Sequence, residues 1–377
     1  METIVIVVDN LRVGGIQRIA LDEAYSLADR EYKIEIIHLE KRRPDDDIVA
    51  ADYDFFPQFS NKIHLHECSG TNLEIFRKIT AFLKQKSPKI VICHSAKAMP
   101  ITFFSRQLLR KPGKMLLLGY VHQLITLSRL TQRVKRVIYF HFCDDLRASS
   151  NQFVLEMQYL RKRNLFFRLI APKAMMFDRM GIYLPRIDYF QNREHQEVQI
   201  SKPSILFLSR VVGWKGFDKY LHVVSMLDPD SAKVVFAPSI YKGVESLGKF
   251  ESKKNSLLVL DSQVARLKFL ASSLHLYPTN YGEKVRNRQN IGMNVLECIA
   301  LGIPTLITEE DFLSWPELRN SPLVEITNWD LKESVLKANR LLALSSEIKI
   351  LESKKLRSVV SIEKHIESIE QFARIYS

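Results

Sequence analysis

The sequence predicts an α/β protein built as two successive open parallel-sheet domains. Three observations predict it. Short β-branched apolar runs alternate with amphipathic segments over the first hundred residues, as parallel βαβ units require. The same alternation restarts after a polar stretch that ends near residue 203. The 377 residues suffice for two full cores at ~100–200 residues per domain.

Along the chain, TIVIVV (3–8), KIEIIHL (33–39), KIHLHE (62–67) and KIVICHS (89–95) read as strands, with helices between them around 15–30 and 74–87. MLLLGYVH (115–122) continues that sheet, and a short strand or turn at 146–149 leads into a helix capped near Ser150 or Asn151. Residues 186–203 are polar with little helical periodicity and read as a hinge. The second series comprises strands at 204–209, 232–237, 257–260, 274–278 and 304–308, with helices near 217–226, 264–272 and 292–301. A last helix at about 359–376 has the length to pack back across the hinge. The expected division is 1–190, 191–358 and a C-terminal helix at 359–377.

Composition narrows the function. Hydrophobic residues make up 46% and charged residues 26%, which excludes disordered and fibrous classes. No apolar run approaches the ~18–20 residues of a membrane span. The start, METIVIVVDN, lacks a basic n-region and a cleavage site, so no secretion signal is expected. Four cysteines without CxxC or zinc-ligand spacing fit reduced thiols in a cytoplasmic protein without a structural metal.

Net charge is +13, and residues 101–173 hold 14 Lys/Arg against three acids, Asp144, Asp145 and Glu156. Aromatics and leucines interleave with this charge, a composition suited to anionic lipid headgroups. Nucleic acid selects the same composition and is the competing partner, and a solvated basic face is the plain alternative.

Three constellations carry chemistry. In VDNLRVGGIQRIALDEA (8–24), a strand runs through Gly14 and Gly15 into a helix, where backbone amides and the positive helix end favour an anion such as a pyrophosphate. A tight glycine turn without a ligand gives the same pattern. In SILFLSRVVGWKGFDKYL (204–221), Arg210 and Lys215 follow a strand, five residues apart across a glycine-containing loop, and can converge on one diphosphate at the carboxyl edge of the sheet. A solvated loop that caps the next helix is the alternative. In LHLYPTNYGEKVRNRQNIGMNVLECIALGIPTLIT (274–308), Glu297 lies on a helix of small and apolar residues, where it can face a crevice and accept from paired hydroxyls. A surface glutamate in a first turn, favoured by the helix dipole, is the alternative.

Taken in order, these segments resemble the GT-B nucleotide-sugar glycosyltransferases, and in particular the retaining group known as family 4. The resemblance rests on Gly14, Gly15, Ile16, Gln17 and Arg18 for a GG-x-x-R-like loop, on Arg210, Lys215 and Gly216, and on Glu297, Gly302 and Pro304 for the end of an E-x7-E motif with its Gly-x-Pro turn. It spans nearly the whole chain. It implies two Rossmann-like domains facing each other across a cleft, the first binding the acceptor and the second the nucleotide sugar. One departure stands in the motif: Gln289 occupies the position of the first glutamate, and an uncharged amide cannot serve as a base. Glu283 lies six residues upstream in a loop.

The resemblance implies metal-independent hexosyl transfer, with retention, from a nucleotide-diphosphate donor, a UDP-sugar, and with no cofactor. Arg210, Lys215 and the Gly14–Gly15 amides would stabilise the departing diphosphate. Glu297 would hold the ribose. Gln289, Asn290, Ile291 and Gly292 would orient the donor sugar, and His122, at the end of MLLLGYVH, would position donor sugar or acceptor. His94, ending KIVICHS, is a second candidate, and His141 with Asp144 and Asp145 matches no usual metal spacing. The basic stretch adds a lipid-linked or cell-envelope glycan acceptor, as in polysaccharide biosynthesis, and a peripheral position on the inner membrane face. Two alternatives remain: a nucleotide-sugar epimerase of the same architecture, and a catalytically silent membrane-associated accessory subunit.

Overall fold

The computed structural model describes residues 2–11, 15–41, 56–109, 115–122, 130–149, 151–163, 165–170, 175–192, 204–209, 215–227, 232–236, 257–260, 273–279, 292–309 and 315–375. The chain divides into two compact units. The first holds Met1–Val49, Phe55–Tyr183 and Ile362–Ser377, and the second is built on Leu184–Ser361.

The first unit carries a seven-stranded sheet in the order β3-β2-β1-β4-β5-β6-β7, every pair parallel. Its strands are β1 (Thr3–Val8), β2 (Lys33–His38), β3 (Ile63–Glu67), β4 (Ile90–Cys93), β5 (Leu116–Val121), β6 (Asp145–Ala148) and β7 (Met176–Phe177). The central strands are buried on both faces, which is why they read as unbroken apolar runs rather than alternating ones. Helices α1 (Gly15–Asp29), α2 (Asn72–Lys86), α3 (Ala98–Leu108), α4 (Leu130–Tyr139), α5 (Asn151–Arg163) and α6 (Leu165–Ile170) connect them. Thr71 and Glu74 form a reciprocal capping box that starts α2. The strand order reverses between β1 and β4, so the carboxyl ends of those strands open the crevice where such sheets take ligands.

The second unit begins with α7 (Leu184–Asn192). Its sheet has the order β10-β9-β8-β11-β12-β13, again all parallel, with β8 (Ser204–Phe207), β9 (Ala232–Phe236), β10 (Leu257–Leu260), β11 (Ser273–Tyr277), β12 (Thr305–Thr308) and β13 (Val324–Thr327). Here the reversal falls between β8 and β11. Helices α8 (Phe217–Met226), α9 (Met293–Ala300), α10 (Leu331–Leu342) and α11 (Ser346–Val360) accompany the strands. The helix expected at 264–272 lies outside the described residues.

The structure differs from the sequence reading at 186–192, where α7 replaces the expected hinge. Pro185 is tolerated in the first turn, where its missing N–H has no intrahelical partner to lose. The helix buries Arg186 completely beside Ile187, so a charged residue sits where an apolar stripe would be sought. The chain leaves the first unit at Tyr183 and returns to it at Ile362.

The return is made by α12 (Glu363–Ile375), which buries Ile366, Ile369, Phe372 and Ala373 in the first unit. Arg30, just after α1, clasps it, with Nη1 2.6 Å from Glu370 and Nη2 2.5 Å from Glu363.

Candidate functional site

In the second unit, the loop before α8 and the start of α9 meet at the end of β11. Gly216 caps α8 in the left-handed region, φ +68°, and a Cβ there would stand 1.7 Å from the Pro278 carbonyl oxygen. No other residue fits that approach. It brings Lys215 to Tyr277: the ammonium donates to the phenol oxygen at 2.6 Å and lies 4.7 Å from the ring centroid. Gly292, which caps α9, is crowded by side chains, since a Cβ would come 2.3 Å from Asn294 Oδ1 and 2.7 Å from Tyr277 Oη. Asn294 then ties α9 to the end of β8 by donating Nδ2–H to the Leu208 carbonyl at 2.8 Å. A cation, a helix N-terminus and a phenol thus gather at the switch point, a combination suited to an anionic ligand.

Glu297 is the fifth residue of α9 and is buried, 1% exposed. Its Oε1 accepts from Arg186 Nη2 at 2.9 Å, and Arg186 is itself fully buried. This removes the reading of a surface glutamate favoured only by the helix dipole. The carboxylate is an interior group with its own cation.

The first unit gathers histidines at its switch point. His94 follows β4 and His122 follows β5. His94 Nε2 lies 2.6 Å from Glu23 Oε2 of α1, and His94 Nδ1 lies 2.8 Å from His122 Nε2. Glu23 is fully buried, and its other oxygen, Oε1, is 2.6 Å from Nε2 of His365 on α12. His365 Nδ1 stands 3.0 Å from Asp178 Oδ1. Asp178 Oδ2 in turn accepts from Arg147 Nη1 at 2.6 Å and from Tyr120 Oη at 2.9 Å. Tyr120 stacks on His94 with centroids 5.2 Å apart.

The electrostatics follow from this packing. Burial alone would raise the Glu23 carboxyl, but the charge of His94 and hydrogen bonds from His365 and His94 outweigh it and bring the pKa to about 2. Asp178 is likewise brought to about 2 against burial, through His365 and Arg147. His365 goes the other way: burial lowers its pKa, yet Asp178 and Glu23 lift it to about 10. It is an imidazolium at neutral pH, hydrogen-bonded to Glu23 through Nε2 and ion-paired with Asp178. His122 is pushed well below its ordinary value by burial and then by the charge of His94, so it is neutral.

Nearby, Ser95 Oγ donates to Asp9 at 2.5 Å, and Gln17 Nε2 donates to Asn10 Oδ1 at 3.0 Å. Gly15 opens α1, and a Cβ on it would meet nothing within 4 Å among the described residues, whose packing does not demand glycine there. Arg18, in the first turn of α1, is buried.

Of the residues singled out from sequence, His122, Gly15, Lys215, Gly292 and Glu297 are placed as above. Gly14, Arg210, Gln289, Asn290 and Ile291 lie outside the described residues, as does Glu283. Asp144 and Asp145 serve Arg106 and Arg147 as ion-pair partners, and among the described residues no His/Cys/Asp/Glu group could hold a metal ion. Sequence reasoning missed Tyr277, Glu23, Asp178, Arg186 and His365. The available signal was polar identity on an apolar stripe: His365 shares a helix face with Ile366, Ile369 and Phe372, and Glu23 sits between Ala20, Ala24 and Leu27.

The basic stretch 101–173 divides. Arg106 and Arg147 are internal and paired. Lys135, Lys162 and Arg168 are exposed, together with Phe104, Ile138, Tyr159, Leu165 and Leu169, the last two 72% and 75% exposed. Helices α5 and α6, which carry most of these groups, pack against each other. Among the described residues no helix is long and apolar enough to cross a membrane.

No family model and no curated protein matches the chain. Solved structures do. The chain is similar to a sucrose-phosphate synthase from Thermosynechococcus elongatus, with TM-score 0.69 and 11% identity over 99% of this chain and 98% of that one. Anabaena HepE in complex with UDP-glucose aligns with TM-score 0.69 and 12% identity over 99% of both chains. A glycosyltransferase from Rickettsia africae aligns with TM-score 0.69 and 15% identity over 100% of this chain and 98% of that one. With two all-parallel sheets, each reversing strand order at its centre, and a near-complete match to these structures, the chain has the α/β fold of the GT-B glycosyltransferases.

Proposed function

We propose that the chain is a glycosyltransferase that moves a hexose from a UDP-sugar to a hydroxyl acceptor with retention at the anomeric carbon. The observation that carries this reading is the convergence of Lys215, Gly216 and Gly292 on Tyr277 and Pro278 at the switch point of the second sheet. The fold supports it, and the solved relatives include proteins in complex with UDP-glucose and with UDP.

The difficult step is departure of a diphosphate, which gains negative charge as the glycosidic bond breaks. Lys215 and Arg210, with backbone amides at Gly14–Gly15, would stabilise that charge without a divalent ion. Tyr277 holds the ammonium in place before substrate arrives, which lowers the cost of orienting it. Arg186 pairs with Glu297 Oε1, and Glu297 would take the ribose hydroxyls. Gln289 and the backbone of Asn290–Gly292 would orient the sugar.

His122, held neutral, suits an orienting hydrogen bond and is a poor proton-taking base. The base then falls to the departing phosphate, which fits front-face attack and retention. Thermal shift and calorimetry with UDP-glucose, UDP and GDP-sugars, followed by turnover with and without acceptor, test the reading. Binding of none defeats it. Binding without turnover marks an accessory subunit, and sugar conversion without acceptor marks an epimerase.

The exposed cations and apolar side chains of α4, α5 and α6 support a second element of the proposal: a lipid-linked or cell-envelope glycan acceptor reached from the inner membrane face. Flotation with vesicles of neutral and anionic lipid across salt concentrations tests it.

A further inference from the structure

A buried polar chain runs to the turn that receives Lys215. The indole N–H of Trp329, two residues past β13, donates to Thr308 Oγ1, at the end of β12, at 3.0 Å. Thr308 Oγ1 lies 3.0 Å from Thr279 Oγ1 and 3.3 Å from the Thr279 carbonyl oxygen, so it meets Thr279 whichever hydroxyl supplies the proton. Thr279 closes the turn after β11, its N–H donating back around Pro278 to the Tyr277 carbonyl at 3.0 Å. On that turn rest Lys215, through the Tyr277 phenol, and Gly216, against the Pro278 carbonyl.

Two features set this chain apart from ordinary packing. Thr279, Thr308 and Trp329 are all buried, and apolar side chains of similar size would fill the same space at little cost in stability. What directed bonds add there is a fixed geometry. Trp329 also holds its backbone at φ +68°, a costly region for so bulky a residue. Its neighbours keep it there: its own N–H donates to Thr327 Oγ1 at 3.1 Å, the Asp330 N–H to Asn328 Oδ1 at 2.7 Å, and Asp330 caps α10 by accepting from the Glu333 N–H at 3.0 Å. Strain over-determined in this way gathers where a site needs a group held in one position.

We propose that Trp329 is a positioning residue: through Thr308 and Thr279 its indole N–H holds Tyr277 where the phenol takes the Lys215 ammonium, so that the cation stands ready for a diphosphate. This deepens the glycosyl-transfer reading and rests on it for the identity of that diphosphate.

Two measurements on the full chain test this. The sequence has three tryptophans, Trp214, Trp315 and Trp329, so 15N-tryptophan labelling gives three indole signals, and Trp329→Phe assigns the relevant one by its loss. That N–H should exchange slowly with solvent in the wild type and in Thr308→Ser, which keeps the hydroxyl, and faster in Thr308→Val, which keeps the volume without it. By calorimetry, UDP binding should weaken roughly 3- to 10-fold in Trp329→Phe and in Thr308→Val, the size of one lost hydrogen bond, and should hold in Thr308→Ser. In a Lys215→Ala background the same two substitutions should add no further loss, because groups that act through one residue are not additive.

A Trp329 N–H that exchanges as freely as an exposed indole overturns the proposal, and so does equal UDP affinity in Thr308→Val and Thr308→Ser. Variants that melt lower yet bind UDP as the wild type does reduce the chain to a structural role and overturn it as well. An undiminished loss in the Lys215→Ala background does the same. Should Trp329→Phe or Thr308→Val fail to fold, the other variant and the wild-type exchange rate decide. If the wild type binds no UDP, the glycosyl-transfer reading is what fails, and the exchange rates still judge the chain.

Discussion

His365 and Glu23 are 342 residues apart in the chain and 2.6 Å apart in the structure, both fully buried. The pair predicts a pH dependence of stability. His365 has its pKa raised from 6.5 to about 10, so its stabilising contribution is complete below about 6.5 and is lost as pH rises through about 10. Glu23 falls from 4.5 to about 2, so its contribution is complete above about 4.5 and is lost as pH falls through about 2. The melting temperature should therefore be highest between about pH 4.5 and 6.5 as far as this cluster is concerned. His365→Ala leaves two carboxylates buried without their shared cation and should cost roughly 3–5 kcal/mol. A denaturation series in which His365→Ala melts as the wild type does at pH 6 contradicts the assignment.

Lys215→Ala should reduce turnover of UDP-glucose by about 100- to 1,000-fold, the loss typical of removing one group that stabilises developing negative charge, with the far-UV spectrum unchanged. Tyr277→Phe should cost less, because it frees the ammonium without removing it. Equal turnover in Lys215→Ala and wild type removes Lys215 from the chemistry.

Two glycines should respond in opposite ways. Gly216→Ala forces a Cβ onto the Pro278 carbonyl in left-handed backbone and should destabilise by about 1–3 kcal/mol. Gly15→Ala meets no atom of the described residues within 4 Å and should leave the melting temperature equal or slightly raised, since alanine favours a helix. If the amides at Gly14–Gly15 bind the diphosphate, Gly15→Ala should nevertheless weaken UDP binding in calorimetry.

Leu165→Gln combined with Leu169→Gln removes two strongly exposed apolar groups and should leave the fold intact. Flotation with anionic vesicles should fall several-fold at fixed salt. Unaltered flotation would show that α6 is not the contact.

Much of the fold was legible because the strands of both sheets are buried on two faces and so appear as bare runs such as TIVIVV and SILF. The edge strand β13 was not, because VEIT places a half-buried Glu325 inside four residues. The stretch at 186–192 misled for a related reason: Arg186 is buried through Glu297, a residue more than a hundred positions away, and no local pattern announces that pairing. At the site, Lys215 and Gly292 were legible as motif members, whereas Tyr277 looked like an ordinary strand end and gained its meaning only when two distant loops closed on it. His122 was visible as a strand-end histidine, but its partners were hidden among helix-core positions.

The return of α12 to the first unit also bears on biosynthesis. Domains usually mature in the order in which they leave the ribosome, the amino-terminal one first. Here the nascent first unit must wait with Glu23 and Asp178 lacking their imidazolium until the chain has passed through the whole second unit to α12. The histidine pair near the start of the chain therefore takes its final arrangement only after the second unit has been synthesised.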